Sequence, residues 1–465
     1  MQARPHEELI PSELRRIRTE PCVSRLLANV CCRTKPLETL EHPAEERLHR
    51  VIGPWGLALT AVNIAIGAGI FILPGILAGM LGPAAVLAHL VCGAATALVM
   101  ACFVELSSEV TRTGGPLAAL EDILGPWPGY LCWLLYGLYG LAACGFLSLA
   151  LSDALGLQGV ARVASSTGVV LFIGTINAVG VRYGLRFAVA TTIAKLVPLA
   201  LVILGGAFVM SRENLHIPAW PTSDALGTAA ITMFFAFSGT EAAMLPAGEL
   251  RDPRTTVPRG IFVAVLSLTI IYASVQWVSQ GVLGGSLHGT APLADVAAAA
   301  WGPVGRTTVR IGTAISVLGS LSGALLTVPR WAFLGARMGV LPANLGRVNV
   351  RFETPFNAII ATTAATVLVA LSGALQILAA LTSASILGVY LAACLAVLRR
   401  EPDQTGFHLP GAKVIAVAGA VITVWLLAHL STREFAAVCG TLIAGVLYRV
   451  ALNRRQLGRN MPHSE

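Results

Sequence analysis

Apolar residues arrive along this chain in long blocks, not in the alternation of a strand or the one-sided stripe of a surface helix. After a polar stretch to residue 52, twelve apolar runs follow, at 55–78, 82–104, 127–154, 163–181, 186–209, 226–248, 259–283, 307–329, 356–373, 375–398, 411–429 and 433–450. Many reach the roughly 20 residues that cross about 30 Å of hydrocarbon. Two runs contain residues a membrane helix should avoid. The first reads Asn63-Ile-Ala-Ile-Gly67-Ala68-Gly69 and continues to Pro74-Gly75; the sixth reads Phe234-Phe235-Ala236-Phe237-Ser238-Gly239-Thr240-Glu241. Backbone that unwinds in hydrocarbon strands N–H and C=O groups, which is tolerated only around a polar cavity. A matched pair of broken helices, five helices apart, points to a midplane binding site. The pattern implies movement of a small zwitterion across a membrane.

The same pattern predicts an all-α polytopic membrane protein of twelve transmembrane helices. Spans 1–5 and 6–10 share one plan: each half opens with a glycine-broken helix, and a proline follows each break (Pro74, Pro246). Five spans per half make the second half enter from the opposite face, which gives a five-plus-five inverted repeat. The expected organisation is a tail at 1–52, a first repeat at 53–209, a second at 210–400, two appended spans at 401–450 and a tail at 451–465. It rests on hydropathy and break positions, because residue-by-residue identity between the halves is not visible.

Composition removes the soluble alternatives. The 465 residues are 55% apolar and 12% charged, with a mean hydropathy of +0.74. A net charge of +8 suggests nucleic acid until its distribution is read. With both ends cytoplasmic, 26 of the 32 Lys and Arg fall inside. Arg162, Arg212, Arg306, Arg310 and Arg433 fall outside, and Lys195 lies within a span. The positive-inside rule therefore sets the orientation, in a cell membrane, and no nucleic-acid partner is expected. The first 50 residues carry no apolar signal core, so the first span is its own insertion signal.

Nine cysteines form no CxxC or Cys/His spacing, and no disulfide framework, metal site or cofactor is expected. Cys92, Cys102, Cys132 and Cys144 fall in or beside spans, as small apolar residues. Cys31-Cys32 is either a lipidation site or without role.

The candidate chemistry follows from the breaks. Residues 55–66 and 70–78 as two half-helices leave the N–H groups of Gly67, Ala68 and Gly69, beside Ile66, as a receptor for a carboxylate. The plainer alternative is a Gly-Ala-Gly packing face in an unbroken helix. Unwinding at Ser238-Gly239 frees carbonyls of Phe235, Ala236 and Phe237 for an ammonium group. Phe235 and Phe237 either close over the ligand as an aromatic gate or pack. Glu241 is costly at a membrane midplane unless it has a partner or a job; it either pins the unwound segment or carries a proton. Lys195 lies about nine residues, roughly 13 Å of helix, from Arg186. Either its stem snorkels towards the headgroups, or its ammonium meets the loose carbonyls of span 1 and the hydroxyls of Ser316 and Ser320 in span 8. In the second case the ammonium replaces a sodium ion. His89, Asp153 and Asn177 suit interhelical hydrogen bonds. Glu249, Arg251, Asp252, Arg254 and Arg259 make either an inner-gate ion network or a solvated loop.

At these residues the chain resembles the amino acid–polyamine–organocation (APC) transporter superfamily. Gly67-Ala-Gly-Ile-Phe with Leu73-Pro-Gly is similar to its span-1 signature. Phe234 to Glu241, followed by Glu249-Leu-Arg-Asp-Pro and Val257-Pro-Arg, is similar to its span-6 signature and trailing loop. Pro329-Arg330 and Ala336-Arg337-Met338-Gly-Val-Leu-Pro342 resemble the loop after span 8. The resemblance covers about 50–450 and implies the five-plus-five fold, an amino-acid-like substrate and alternating access. It likens Lys195 to the lysine of sodium-independent, often proton-coupled bacterial members, and Arg33-Thr-Lys-Pro-Leu-Glu to the cationic-amino-acid-transporter branch. Two departures stand out: Ala68 where many relatives have Ser or Thr, and Met338 in place of an acidic residue. The expected function is sodium-independent, proton-coupled amino acid transport. The alternatives are exchange, polyamine or organocation transport and, from other classes, a membrane sensor or membrane enzyme. Neither tail is long enough for a sensor domain, no catalytic constellation clusters in the spans, and no Walker motif exists for ATP drive.

Overall fold

The structure is a computed structural model that describes residues 50–459 except 289–290, 350 and 402–406. Most of the expected N-terminal tail, with Cys31-Cys32, lies outside the described residues, as do residues 460–465 and the side chain of Phe235.

The described residues are helical, with a single isolated bridge between Ile52 and Leu250 as their β-type pairing. The helices are α1 (Pro54–Ala65), α2 (Gly69–Leu81), α3 (Ala85–Ser107), α4 (Gly115–Leu124), α5 (Pro126–Ala154), α6 (Gly159–Val179) and α7 (Val181–Val209). They continue as α8 (Ser223–Phe237), α9 (Pro253–Leu283), α10 (Pro292–Arg337), α11 (Phe356–Leu371), α12 (Leu375–Arg399), α13 (Ala412–Leu427) and α14 (Thr432–Arg459). Eight helical stretches among them are long and apolar enough to cross a membrane. This is an integral, polytopic membrane protein.

Two elements depart from the apolar runs. Helix α4 has no counterpart among them, because ten residues are too few to span; Gly114 and Gly115, both with positive φ, and Pro116 set its first turn. The Gly114 N–H donates to Leu245 O, tying α4 to the segment after α8. Helix α10 begins well before the expected 307 and bends at Gly302, whose φ of 63° favours glycine.

Helix α10 is the axis of the site. It packs on α7, α5, α1 and α2, and its small residues bring backbones together, as close packing in lipid requires. A Cβ on Gly319 would stand 2.7 Å from Asn63 Oδ1, and one on Gly323 would stand 2.5 Å from Ile64 Cγ1. Asn63 Nδ2 donates to Gly319 O at 2.7 Å, fixing α1 against this surface.

Candidate functional site

Both expected breaks are present. Helix α1 stops at Ala65, Ile66 leaves helical geometry (φ −74°, ψ 84°), and α2 starts at Gly69. Helix α8 ends at Phe237, Ser238 is extended, and Gly239 has a φ of 101°. The chain then continues as short 3-10 turns at Glu241–Met244 and Ala247–Glu249. The breaks face each other. A Cβ on Gly69 would lie 3.2 Å from Ala236 Cβ, and one on Gly239 would lie 2.6 Å from Ile64 Cγ2. The Tyr272 hydroxyl of α9 lies 3.0 Å from Ala65 O and 2.8 Å from Ala236 O, spanning a carbonyl of each break.

Lys195 reaches the first break. Fully buried on α7, its Nζ donates to Asn63 O at 2.8 Å, Ile66 O at 2.6 Å and Ser320 Oγ at 3.3 Å. These use all three donors of an ammonium group. Ser320 Oγ lies 2.8 Å from each of the same two carbonyls, and Ser316 Oγ lies 2.9 Å from Ile66 O and 3.1 Å from Gly67 O. The carbonyls released by unwinding are thus gathered by α7 and α10. Snorkelling is excluded, because this side chain has no exposed surface.

The N–H groups divide unequally. Gly67 N–H is taken by Ala65 O at 2.8 Å, which removes it from the expected receptor and leaves Ala68 and Gly69 at the start of α2. Glu241 is buried; its Oε2 accepts from Gly239 N–H at 3.1 Å and from the Tyr390 hydroxyl of α12 at 2.5 Å. It braces the unwound segment. Phe237 stacks edge-on against Tyr272, with centroids 4.9 Å apart, and does not line the central cavity. It is a packing residue in this conformation.

That cavity, of about 40 Å³, lies between the breaks and is walled by Gly67, Gly69, Ala236 and Ser238, with Tyr136 and Tyr139 of α5 and Thr327 of α10. A larger cavity of about 610 Å³ opens towards the C-terminal end of α5, with Ala68 and Phe71 at its inner end and Asp153 and Arg310 on its walls. The opposite side is shut. Glu249 and Arg330 form a buried ion pair at 2.8 Å, their side chains 2% and 1% exposed. Arg330 also donates to Leu326 O at 2.5 Å. Val51 and Ile52 N–H donate to Glu249 O at 3.0 and 3.1 Å, and Arg251 N–H donates to Ile52 O at 3.0 Å. The approach to α1 is therefore clipped to the Glu249 segment.

The sequence leaves Glu249 open and the resemblance places Arg330 in a loop, whereas Arg330 lies inside α10. Arg251, Asp252, Arg254 and Arg259 are exposed, and Asp252 caps α9. Breaking a buried pair from one side costs about 3–5 kcal/mol, because the remaining charge loses its compensation. Arg330→Ala is expected to lower the melting temperature in detergent clearly, whereas replacing both partners by uncharged residues of similar volume restores most of it; thermal unfolding of the three proteins checks this.

Of the weaker candidates, Asp153 pairs with Arg162 at 2.5 Å at the end of α5, and His89 Nδ1 contacts Ala85 O at 3.1 Å within its own helix. Asn177 is buried without a hydrogen-bond partner among the described residues. Asp153 thus makes the interhelical hydrogen bond expected of it, from α5 to Arg162 of α6, whereas His89 and Asn177 make none among the described residues. Tyr139, Tyr272 and Tyr390 were missed. A tyrosine in an apolar run reads as packing, and no spacing rule marks the one whose hydroxyl reaches a break.

The sequence profile described as amino acid permease matches residues 52–450. Relatives include the serine/threonine exchanger SteT of Bacillus subtilis (strain 168), 28% identical over 332 residues, or 68% of this chain and 76% of that protein. The methylthioribose transporter of the same organism is 26% identical over 436 residues, or 86% and 92% of the two chains. Asc-type amino acid transporter 1 of Mus musculus is 29% identical over 356 residues, or 71% and 67%. With paired breaks and a profile match across nearly all its apolar runs, this chain belongs to the amino acid permease family of the APC superfamily, a family of transporters and not of enzymes.

Proposed function

We propose that this protein is a secondary active amino acid transporter of the cell membrane. It works by alternating access, independently of sodium and coupled to protons. One observation carries the reading: Lys195 Nζ occupies the junction of α1, α7 and α10, bonded to the two break carbonyls Asn63 O and Ile66 O. A metal ion at that junction would be held by the same carbonyls and hydroxyls, so the ammonium makes sodium unnecessary. Ala68 and Gly69 N–H receive the substrate carboxylate. Ile66, Gly67, Ala236, Ser238 and Gly239 form the rest of the binding site, and Glu241 holds the second break in shape.

In this reading the helices form twelve spans, with α1 and α2 as span 1, α8 and its 3-10 turns as span 6, and the part of α10 beyond Gly302 as span 8. In that scheme residues 53–209 and 210–400 are inverted repeats, 401–450 carry spans 11 and 12, and both termini are cytoplasmic. The 610 Å³ cavity is then an outward vestibule, and the Glu249–Arg330 pair closes the cytoplasmic side. Substrate closes the vestibule, the pair parts, and α1 swings from the Glu249 segment to release substrate inward.

Exchange is the second reading. It is favoured by the three satisfied donors of Lys195, since a junction that stays charged moves no proton. Uptake of labelled amino acids into sodium-free proteoliposomes, with and without internal unlabelled substrate, tests the proposal. Uptake into empty vesicles supports symport, uptake only against internal substrate supports exchange, and a sodium requirement refutes the role given to Lys195.

A further inference from the structure

Resting on the reading of this chain as an amino acid transporter, we propose that its substrates are small amino acids with uncharged side chains. They are selected at two places: by a central cavity that offers no charged partner, and by Arg310 in the vestibule.

The central cavity excludes charge. Its polar side chains are the hydroxyls of Tyr136, Tyr139, Ser238, Thr327 and Thr382; the other walls are aliphatic side chains and glycine backbone. The two ionisable groups nearest the breaks lie outside this lining and are committed elsewhere: Lys195 to Asn63 O and Ile66 O, and Glu241 to Gly239 N–H and the Tyr390 hydroxyl. A lysine, arginine or glutamate side chain would be desolvated here without compensation.

The cavity also excludes bulk. At about 10–15 Å³ per water molecule, 40 Å³ holds roughly three, close to a small side chain beside the carboxylate and ammonium. Widening the cavity would part α5 from α10 and lose their packing, which is close enough at Gly140 that a Cβ would stand 2.9 Å from Val328 Cγ2.

The vestibule adds a charge filter. Of its two charged lining residues, Asp153 is neutralised by Arg162 at 2.5 Å, whereas Arg310 has no ion-pair partner among the described residues. Arg310 precedes Ser316 by six residues, about 9 Å along α10, and so lies within roughly a Debye length of the first break. Low-dielectric walls focus its field along the vestibule. A zwitterion turns its carboxylate towards Arg310, and a substrate with a net positive charge is repelled. An acidic side chain passes Arg310 and is stopped at the cavity. This selection runs against a cationic substrate, the direction suggested by the short similarity of Arg33-Thr-Lys-Pro-Leu-Glu to the cationic branch.

Transport of labelled alanine, phenylalanine, arginine and glutamate by sodium-free proteoliposomes tests both parts. Alanine is expected to show a kcat/KM at least tenfold above the other three. Arg310→Glu is expected to raise kcat/KM for arginine several-fold relative to that for alanine at low salt, and the difference should vanish at high salt. Arginine, glutamate or phenylalanine carried as well as alanine overturns the cavity's role; an unchanged arginine-to-alanine ratio at low salt overturns that of Arg310. If none of the four crosses, thermal-shift binding separates the two readings. Alanine still binding most tightly keeps the selectivity and removes transport, and no binding removes both.

Discussion

Lys195→Ala is expected to remove at least nine-tenths of transport while the protein still inserts and elutes as a single species. The deleted group donates three hydrogen bonds, two of them to carbonyls that the break in span 1 leaves without helical partners. Hydrogen bonds from charged groups contribute about 1.5–3 kcal/mol each. Ser316 and Ser320 still contact Ile66 O and keep part of the junction, so insertion survives while the balance between conformations shifts. Lys195→Met, which keeps the stem and loses the donors, should behave like alanine. Uptake normalised to inserted protein checks both variants. Full activity in either would reduce Lys195 to a space-filling residue.

Gly69→Leu should abolish substrate binding, with affinity lowered at least a hundredfold. Gly69 begins α2, lines the central cavity and faces Ala236 across it. An added Cβ meets Ala236 Cβ at 3.2 Å and Leu73 Cδ1 at 3.3 Å, and a leucine's further carbons fill the space proposed for the carboxylate. Gly67→Leu should act by another route. Its Cβ lies 3.4 Å from Ser320 Oγ, so the side chain presses on the hydroxyl that links Lys195 to span 1. Gly79→Leu is the control, because nothing stands within 4 Å of a Cβ there on the same helix. Binding measured by thermal shift with alanine should be lost in the first two and kept in the third. Normal binding by Gly69→Leu would move the site away from the breaks.

Much of this arrangement is legible in the sequence, for physical reasons. Ionisable and helix-breaking residues are costly in hydrocarbon, so Lys195, Glu241, Gly67 and Ser238-Gly239 stand out without any coordinates. The contact of Lys195 with Ser320 was reachable because few polar groups lie at that depth. The Glu249–Arg330 pair was not, since a charge near a span's end reads equally as solvated, and only packing against α10 buries it. The Gly67 N–H was also beyond sequence reasoning: whether it faces a ligand or turns back to Ala65 O depends on the dihedral angles of Ile66. Helix α4 escaped because hydropathy sees only elements long enough to span.

In the proposed mechanism a proton on Lys195, in place of a sodium ion, couples substrate movement to conformation. Proteoliposomes loaded with a pH-sensitive dye, free of sodium, read this directly when alanine is added outside. Internal acidification should track alanine uptake in the wild type and be absent in Lys195→Ala. Acidification that persists in Lys195→Ala, or uptake that appears only when sodium is supplied, would contradict it.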